Sequence, residues 1–399
     1  MTSAPLPTTN ASGQSAQAQS PNDQANANAT FDLATYKTLS NEELIAKITK
    51  VREDLGDSLL ILGHHYQQDQ VVEHTDLRGD SYQLSEMAAS SETCRTIVFC
   101  GVHFMAETAD ILANRPERLA SRDGDRVQVI LPDMAAGCSM ADMAAIAQVE
   151  AAWQDMSEVI DTERVIPVTY INSAASLKAF CGRNGGIVCT SSNAKAVLQW
   201  AFERGDRVFF FPDQHLGRNT ALTMSITEEQ MPVWDPYELE MGGNTDQAIE
   251  DSRVILWKGH CSVHQMFRPT HVEQFRKDHP GIKILVHPEC PRDVNDLADV
   301  SGSTGKIIET VRNSPAGTKW AIGTELHLVN RLKAEHPEQE IHFLSPVVCM
   351  CATMYRIDLP HLAWSLENLA AGTPVNTIQV SDDTTKWSLV ALERMLAIK

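Results

Sequence analysis

The same ordered set of features recurs three times along this chain, and each set closes on a cysteine. The first opens at the apolar run 59–62, which breaks into Gly63-His64-His65-Tyr66. Asp80-Ser81 follows, then runs 96–99 and 127–131, with Cys138 just beyond. The second leads from run 165–170, ending in Tyr170, through Ile171-Asn172, Ser191 and run 208–211 to run 254–257 and Cys261. The third leads from run 282–286 and His287-Pro288-Glu289 through Gly302-Ser303-Thr304 and run 320–322 to run 341–344 and Cys351. Short apolar runs bounded by polar, Gly or Pro residues read as buried strands. Helix-like stretches lie between them, at 140–150, 193–203, 304–311 and 326–334.

Alternating strands and helices predict parallel sheets covered on both faces. Open sheets of this kind bind ligands at the carboxyl ends of their strands. Three such units facing one another bring three distant cysteines to one point. The expected fold is therefore α/β, with three α/β/α sandwich domains of parallel sheets about a pseudo-threefold axis. Residues 1–38 read as a disordered polar tail, 39–145 as the first domain, 146–265 as the second and 266–399 as the third. The tail rests on residues 1–30, which hold no Lys or Arg and no apolar stretch, unlike a signal or transit peptide. The capping sequence Ser40-Asn41-Glu42-Glu43 opens the first expected helix, at 43–55.

Lys+Arg 33 against Asp+Glu 52 leaves a net charge of −19, a surface that repels phosphate backbones and excludes nucleic acid as a partner. No apolar run approaches the ~20 residues of a membrane span. Nine cysteines without an export signal indicate a reducing compartment, the cytoplasm, rather than a disulfide framework. Cys94, Cys100, Cys181, Cys189 and Cys290 read as small buried hydrophobes. Cys138, Cys261 and Cys351 differ, because each follows a strand in a turn. Three thiolates without a fourth suit an iron–sulfur cluster with one open iron, or zinc. Gly302-Ser303-Thr304-Gly305-Lys306 fails as a phosphate loop, since Ile307 stands where Ser or Thr is required. What survives is a hydroxyl at a helix N-terminus, where free N–H groups hold a carboxylate or phosphate. Ser81 and Ser191 occupy the same place in their units, so three together indicate a pocket for a polyanion.

At these residues the chain resembles the quinolinate synthases, iron–sulfur enzymes of de novo NAD biosynthesis. The resemblance spans about residues 59–369. It rests on His64-His65-Tyr66-Gln67, Gly79-Asp80-Ser81, Val102-His103-Phe104-Met105-Ala106-Glu107, Ala136-Gly137-Cys138-Ser139 and Tyr170-Ile171-Asn172-Ser173. It continues through Cys189-Thr190-Ser191-Ser192-Asn193, Pro212-Asp213-Gln214-His215, Gly259-His260-Cys261-Ser262-Val263-His264, His287-Pro288-Glu289-Cys290, Gly323-Thr324-Glu325 and Cys351-Ala352-Thr353-Met354.

The resemblance implies a transferase that condenses iminoaspartate with dihydroxyacetone phosphate, expelling phosphate and two waters. It implies a 4Fe-4S cluster held by Cys138, Cys261 and Cys351, and L-aspartate oxidase as the upstream enzyme. Where the family commonly has Cys-Pro-x-Met, Ala352 follows the cysteine here, and Cys349 stands nearby; Cys351 is preferred because it lies three residues before Met354. Substrate contacts fall on His64, Ser81, Tyr170, Ile171, Asn172, Ser191, His287, Pro288, Glu289 and Thr304, with Asp80 and Met105 as neighbours. Among the titratable groups, Glu289 and Tyr66 are assigned to proton transfer, and His64 and His287 to hydrogen bonds toward carboxylate or phosphate. Two rivals stand beside this reading: another open-iron hydro-lyase, and a zinc or redox-sensing protein without catalysis.

Overall fold

Parallel strands buried on both faces read as continuous apolar runs, and the three units realise this in the same way. The computed structural model describes Asn26, residues 28–348 and residues 350–398. In the first sheet Gln128–Ile130, Thr96–Cys100, Leu59–His64 and Leu77–Gly79 lie side by side in that order, all parallel. The second sheet places Val254–Trp257, Arg207–Phe211, Val165–Tyr170 and Ile187–Cys189 in the same sense. The third repeats it with Glu340–Phe343, Lys319–Gly323, Lys283–Val286 and Val300–Ser301. Numbered along the chain among these four, the strand order is 4-3-1-2 in each unit, and in the second Val233–Trp234 adds a further parallel strand beyond Val254–Trp257. The protein is thus built of three α/β/α units. In this order the connections from strands 1 and 3 leave in opposite directions, which opens a crevice at the carboxyl ends.

Each sheet has its own core. Ile61, Val98 and Phe99 anchor the first, Val168, Phe209, Phe210 and Leu256 the second. The third sheet packs Ile284, Val286 and Ala321 on one face and Leu285, Ile322, Leu328 and Leu332 on the other. No helix among the described residues is long and apolar enough to cross a membrane.

Three expectations need correction. Part of the span 1–38 belongs to the fold: Tyr36 is buried, the Phe31 N–H donates to Asn368 Oδ1 at 3.0 Å, and Trp364 Nε1 donates to the Phe31 carbonyl at 2.8 Å. The cause is a pair of aromatic residues at the end of an otherwise polar segment; most of the segment lies outside the described residues. The stretch 140–150 is two helices, Ser139–Asp142 and Ile146–Met156, because the Met143 carbonyl between them accepts from Trp257 Nε1 at 2.8 Å.

The largest departure concerns residues 266–399, whose last part leaves the third sheet. Helix Leu359–Ala370 packs on Asn41–Leu55, and Thr377–Ile378 pairs antiparallel with Gln128–Ile130 at the edge of the first sheet. Helix Asp382–Leu396 then lies against Ala175–Arg183 of the second unit. Its approach is close: a Cβ on Gly182 would stand 1.9 Å from the Trp387 carbonyl oxygen.

Candidate active site

The carboxyl ends of the three sheets face one cavity. It is lined by His64, Tyr66, Asp80, Ser81 and Met105 from the first unit, by Tyr170, Ile171, Asn172 and Ser191 from the second, and by His287, Glu289 and Thr304 from the third. Cys138, Cys261 and Cys351 line it too. Of the residues singled out from sequence only Pro288 does not reach it; its carbonyl accepts from Asn219 Nδ2 at 2.8 Å. Cys349 lies outside the described residues.

The three cysteines occupy equivalent turns. Each carbonyl accepts the N–H four residues on, from Asp142, Gln265 and Tyr355, at 2.9–3.0 Å. Each sulfur receives the N–H of the residue three on, from Ala141, His264 and Met354. Burial pushes all three thiols up, Cys138 to about 12, and the sulfurs lie near enough to raise one another. A metal that binds them must displace their protons. Soft sulfur donors offered from three sides, each already supplied with an N–H, fit an iron–sulfur cluster or zinc. His264 and Glu289 also bring ligand atoms within 4.8 Å of Cys261 and of each other. The Cys261 loop is held down by Gly259, where a Cβ would meet the Pro212 carbonyl oxygen at 2.2 Å.

After the second strand each unit starts a helix at the cavity. Asp80 caps helix Ser81–Ser90 by accepting the Gln83 N–H at 2.9 Å, and Ser303 caps Thr304–Arg312 by accepting the Lys306 N–H at 3.3 Å. In the second unit Thr190 and Asn193 cap each other ahead of Ala194–Phe202. In the first and third units the cap residue serves the inner N–H groups, and Ser81, Ser191 and Thr304 all line the cavity. Ser81 also donates to Asn172 Oδ1 at 3.3 Å.

The first strands end in matched histidines. Nδ1 of His64 accepts the Tyr66 N–H at 3.1 Å, and Nδ1 of His287 accepts the Glu289 N–H at 3.3 Å. Burial lowers both rings to about 3, so they are neutral. With Nδ1 occupied as acceptor the proton sits on Nε2, and each histidine is a donor there. Burial pushes the hydroxyls of Tyr66 and Tyr170 well above the usual range. Burial also works against ionisation of Glu289; with His287 neutral, the hydrogen bonds from His264 and Tyr170 are what hold the carboxyl low. Sequence reasoning gave no role to His264, which lines the cavity between Glu289 and the third sheet. Its only signal was its place three residues after Cys261 within a matched motif.

The sequence pattern of the quinolinate synthetase A proteins matches residues 46–397. The chain belongs to this family. It is similar to the quinolinate synthase of Rhodopirellula baltica, with 79% identity over 394 residues covering 99% of each chain. It is 53% identical to the quinolinate synthase of a Geobacillus species over 91% of this chain and 96% of that one. A quinolinate synthase of a Nocardioides species is 52% identical over 90% of both. Membership of the quinolinate synthetase A family extends to helix Asp382–Leu396, so the returning C-terminal segment is part of the family's fold.

Proposed function

We propose that the protein is a quinolinate synthase that joins iminoaspartate to dihydroxyacetone phosphate, releasing phosphate and two waters. The observation that carries this is the cavity itself, which three cysteines in equivalent turns share with three hydroxyl residues at helix starts. Cys138, Cys261 and Cys351 would hold a 4Fe-4S cluster. Its iron without a protein ligand would supply Lewis acidity to the dehydrations.

The chain's own groups divide the remaining work. Ser81, Asn172, Ser191 and Thr304 bind carboxylate and phosphate oxygens, with Nε2–H of His64 and His287 as further donors. Tyr170 holds Glu289 through its hydroxyl, and Ile171 closes the apolar side. Glu289, ionised and buried, takes a proton from the condensing carbon, and Tyr66 exchanges protons with the departing oxygen. L-aspartate oxidase is the expected source of iminoaspartate, and the cytoplasm, where thiols stay reduced, the expected compartment.

Anaerobically reconstituted protein given both substrates should form quinolinate. Dehydration of a hydroxy-acid, with no quinolinate from the pair, would place the protein among the other open-iron hydro-lyases. Glu289→Gln keeps shape and should still bind quinolinate while losing about a hundredfold or more in turnover. Near-normal turnover would remove Glu289 from the role.

A further inference from the structure

We propose that His279, Glu340 and His342 form a binding site for a divalent transition ion of the zinc type, set at the amino end of the third sheet and separate from the cavity. Three donor atoms converge there. Glu340 Oε1 lies 2.9 Å from His279 Nδ1 and 2.9 Å from His342 Nε2, and all three atoms fall within 4.8 Å of one another. Two imidazoles and a carboxylate suit zinc and its neighbours, whereas magnesium and calcium ask for oxygen alone. The side chains of His279, Glu340 and His342 are 31%, 38% and 28% exposed, enough for an ion to enter and for water to complete its shell. None of the three lines the cavity.

Two elements build the site. Glu340 and His342 alternate with Ile341 along the edge strand Glu340–Phe343, so their side chains leave the same face. His279 closes helix Pro269–Asp278, its N–H donating to the Phe275 carbonyl at 2.9 Å. A cation bound here also meets the negative end of that helix. Phe275 braces both rings, stacked on His279 at 5.7 Å between centroids and tilted against His342 at 5.8 Å. The two imidazoles are themselves 4.4 Å apart, and Phe275 packs on the core of Ile284 and Val286. The second oxygen of Glu340 lies 3.1 Å from Lys319 Nζ, which turns Oε1 toward the rings. The ion replaces the two ring protons that now point at Oε1, and each ring keeps a proton on its other nitrogen. His279 stands just before strand Lys283–Val286, which ends beside His287 and Glu289, while Glu340–Phe343 leads on to Cys351. The ion thus clamps the starts of two strands whose far ends serve the cavity.

Zinc ion is the probe. Holoenzyme carrying its iron is given zinc at micromolar concentration, desalted, and assayed for both metals. Each chain should retain one zinc with no loss of iron or turnover, and the thermal midpoint should rise by a few degrees. His342→Gln and Glu340→Gln should each weaken zinc binding by about a hundredfold or more, since a lost ligand costs at least as much as a lost outer partner. Iron content and turnover should stay as in the unaltered protein. Failure of the unaltered protein to retain zinc overturns the site, as does retention that His342→Gln leaves unchanged. Should both variants fold poorly, X-ray absorption at the zinc edge of the unaltered holoenzyme decides. Nitrogen and oxygen neighbours at about 2.0–2.2 Å, with the outer scattering of imidazole, support the site. A sulfur shell at about 2.3 Å puts the zinc on cysteines and overturns it.

Discussion

After its third strand the second unit places a buried acid, the third unit does the same, and the first does not. Asp213 caps its helix by accepting the Leu216 N–H at 2.7 Å, and its other oxygen accepts the Cys261 N–H at 3.3 Å. Glu325 accepts the His327 N–H at 2.7 Å and, through its other oxygen, the Cys351 N–H at 3.5 Å. In the first unit that place belongs to Val102, which makes no side-chain cap. There the tie between that place and the loop ahead of Cys138 is made by backbone, the His103 N–H donating to the Ala136 carbonyl at 2.9 Å. The repeat preserves strand order and cysteine turn while one task passes from side chain to main chain. The exchange leaves Val102, Phe104 and Met105 as an apolar stretch of the cavity wall in the first unit.

The largest effect tests whether the cysteines are equivalent despite this difference. Single changes of Cys138, Cys261 or Cys351 to Ser should each abolish quinolinate formation and lower bound iron, whereas Cys94, Cys181 and Cys189 should tolerate the change. Iron assay after anaerobic reconstitution reads this out, and a protein that keeps its iron without Cys138 would break the equivalence.

Next in size is the response to acid at the ends of the first strands, where the first and third units carry histidine and the second carries tyrosine. His64 and His287 are depressed from 6.5 to about 3 by burial, so the unfolded chain binds protons that the folded one refuses. Their contribution is intact above about pH 6.5 and is lost as pH falls toward 3, by about 1 kcal/mol per pH unit for each histidine. Thermal midpoints followed downward from neutrality should drop accordingly, and more shallowly in His287→Gln. An unchanged slope in that variant would show that His287 is not the group responsible.

The smallest effect sharpens the contrast between acid and valine. Asp213→Ala or Glu325→Ala should cost about 1–3 kcal/mol through the lost cap and the unpaired cysteine N–H. Both should release iron faster under a chelator. Val102→Ala should leave iron release unchanged, because the main chain holds that loop; faster release there would remove the distinction.

Nine strands were legible in the sequence because each is a short apolar run buried on both faces. The edge strands Leu77–Gly79, Ile187–Cys189 and Val300–Ser301 were not, being two or three residues long and defined by register with a neighbour. Residues after strands could be read as candidates because topology sends strand ends to one place, and the cavity gathers all of them except Pro288. His264 escaped because a buried histidine carries no pattern of its own; only distance joins it to Glu289. The return of the chain after residue 354 escaped for a similar reason. Leu359–Ala370 has an ordinary apolar stripe, and nothing local says which helix will cover it.

That return bears on how the protein is made. Helix Asn41–Leu55 is among the first elements to leave the ribosome, yet its buried face of Leu44, Ile48 and Val51 is covered by Leu359–Ala370, nearly the last. The edge of Gln128–Ile130 likewise waits for Thr377–Ile378. Through most of synthesis the nascent chain carries an uncovered apolar surface and an open strand edge, both invitations to wrong partners. Cys351 emerges just ahead of the segment that closes the first unit, so a chain stalled before it has neither the third thiol nor the cover. The three-cysteine site is therefore complete only when the C-terminal part of the chain is made, and iron bound to ribosome-stalled chains ending short of Cys351 would show otherwise.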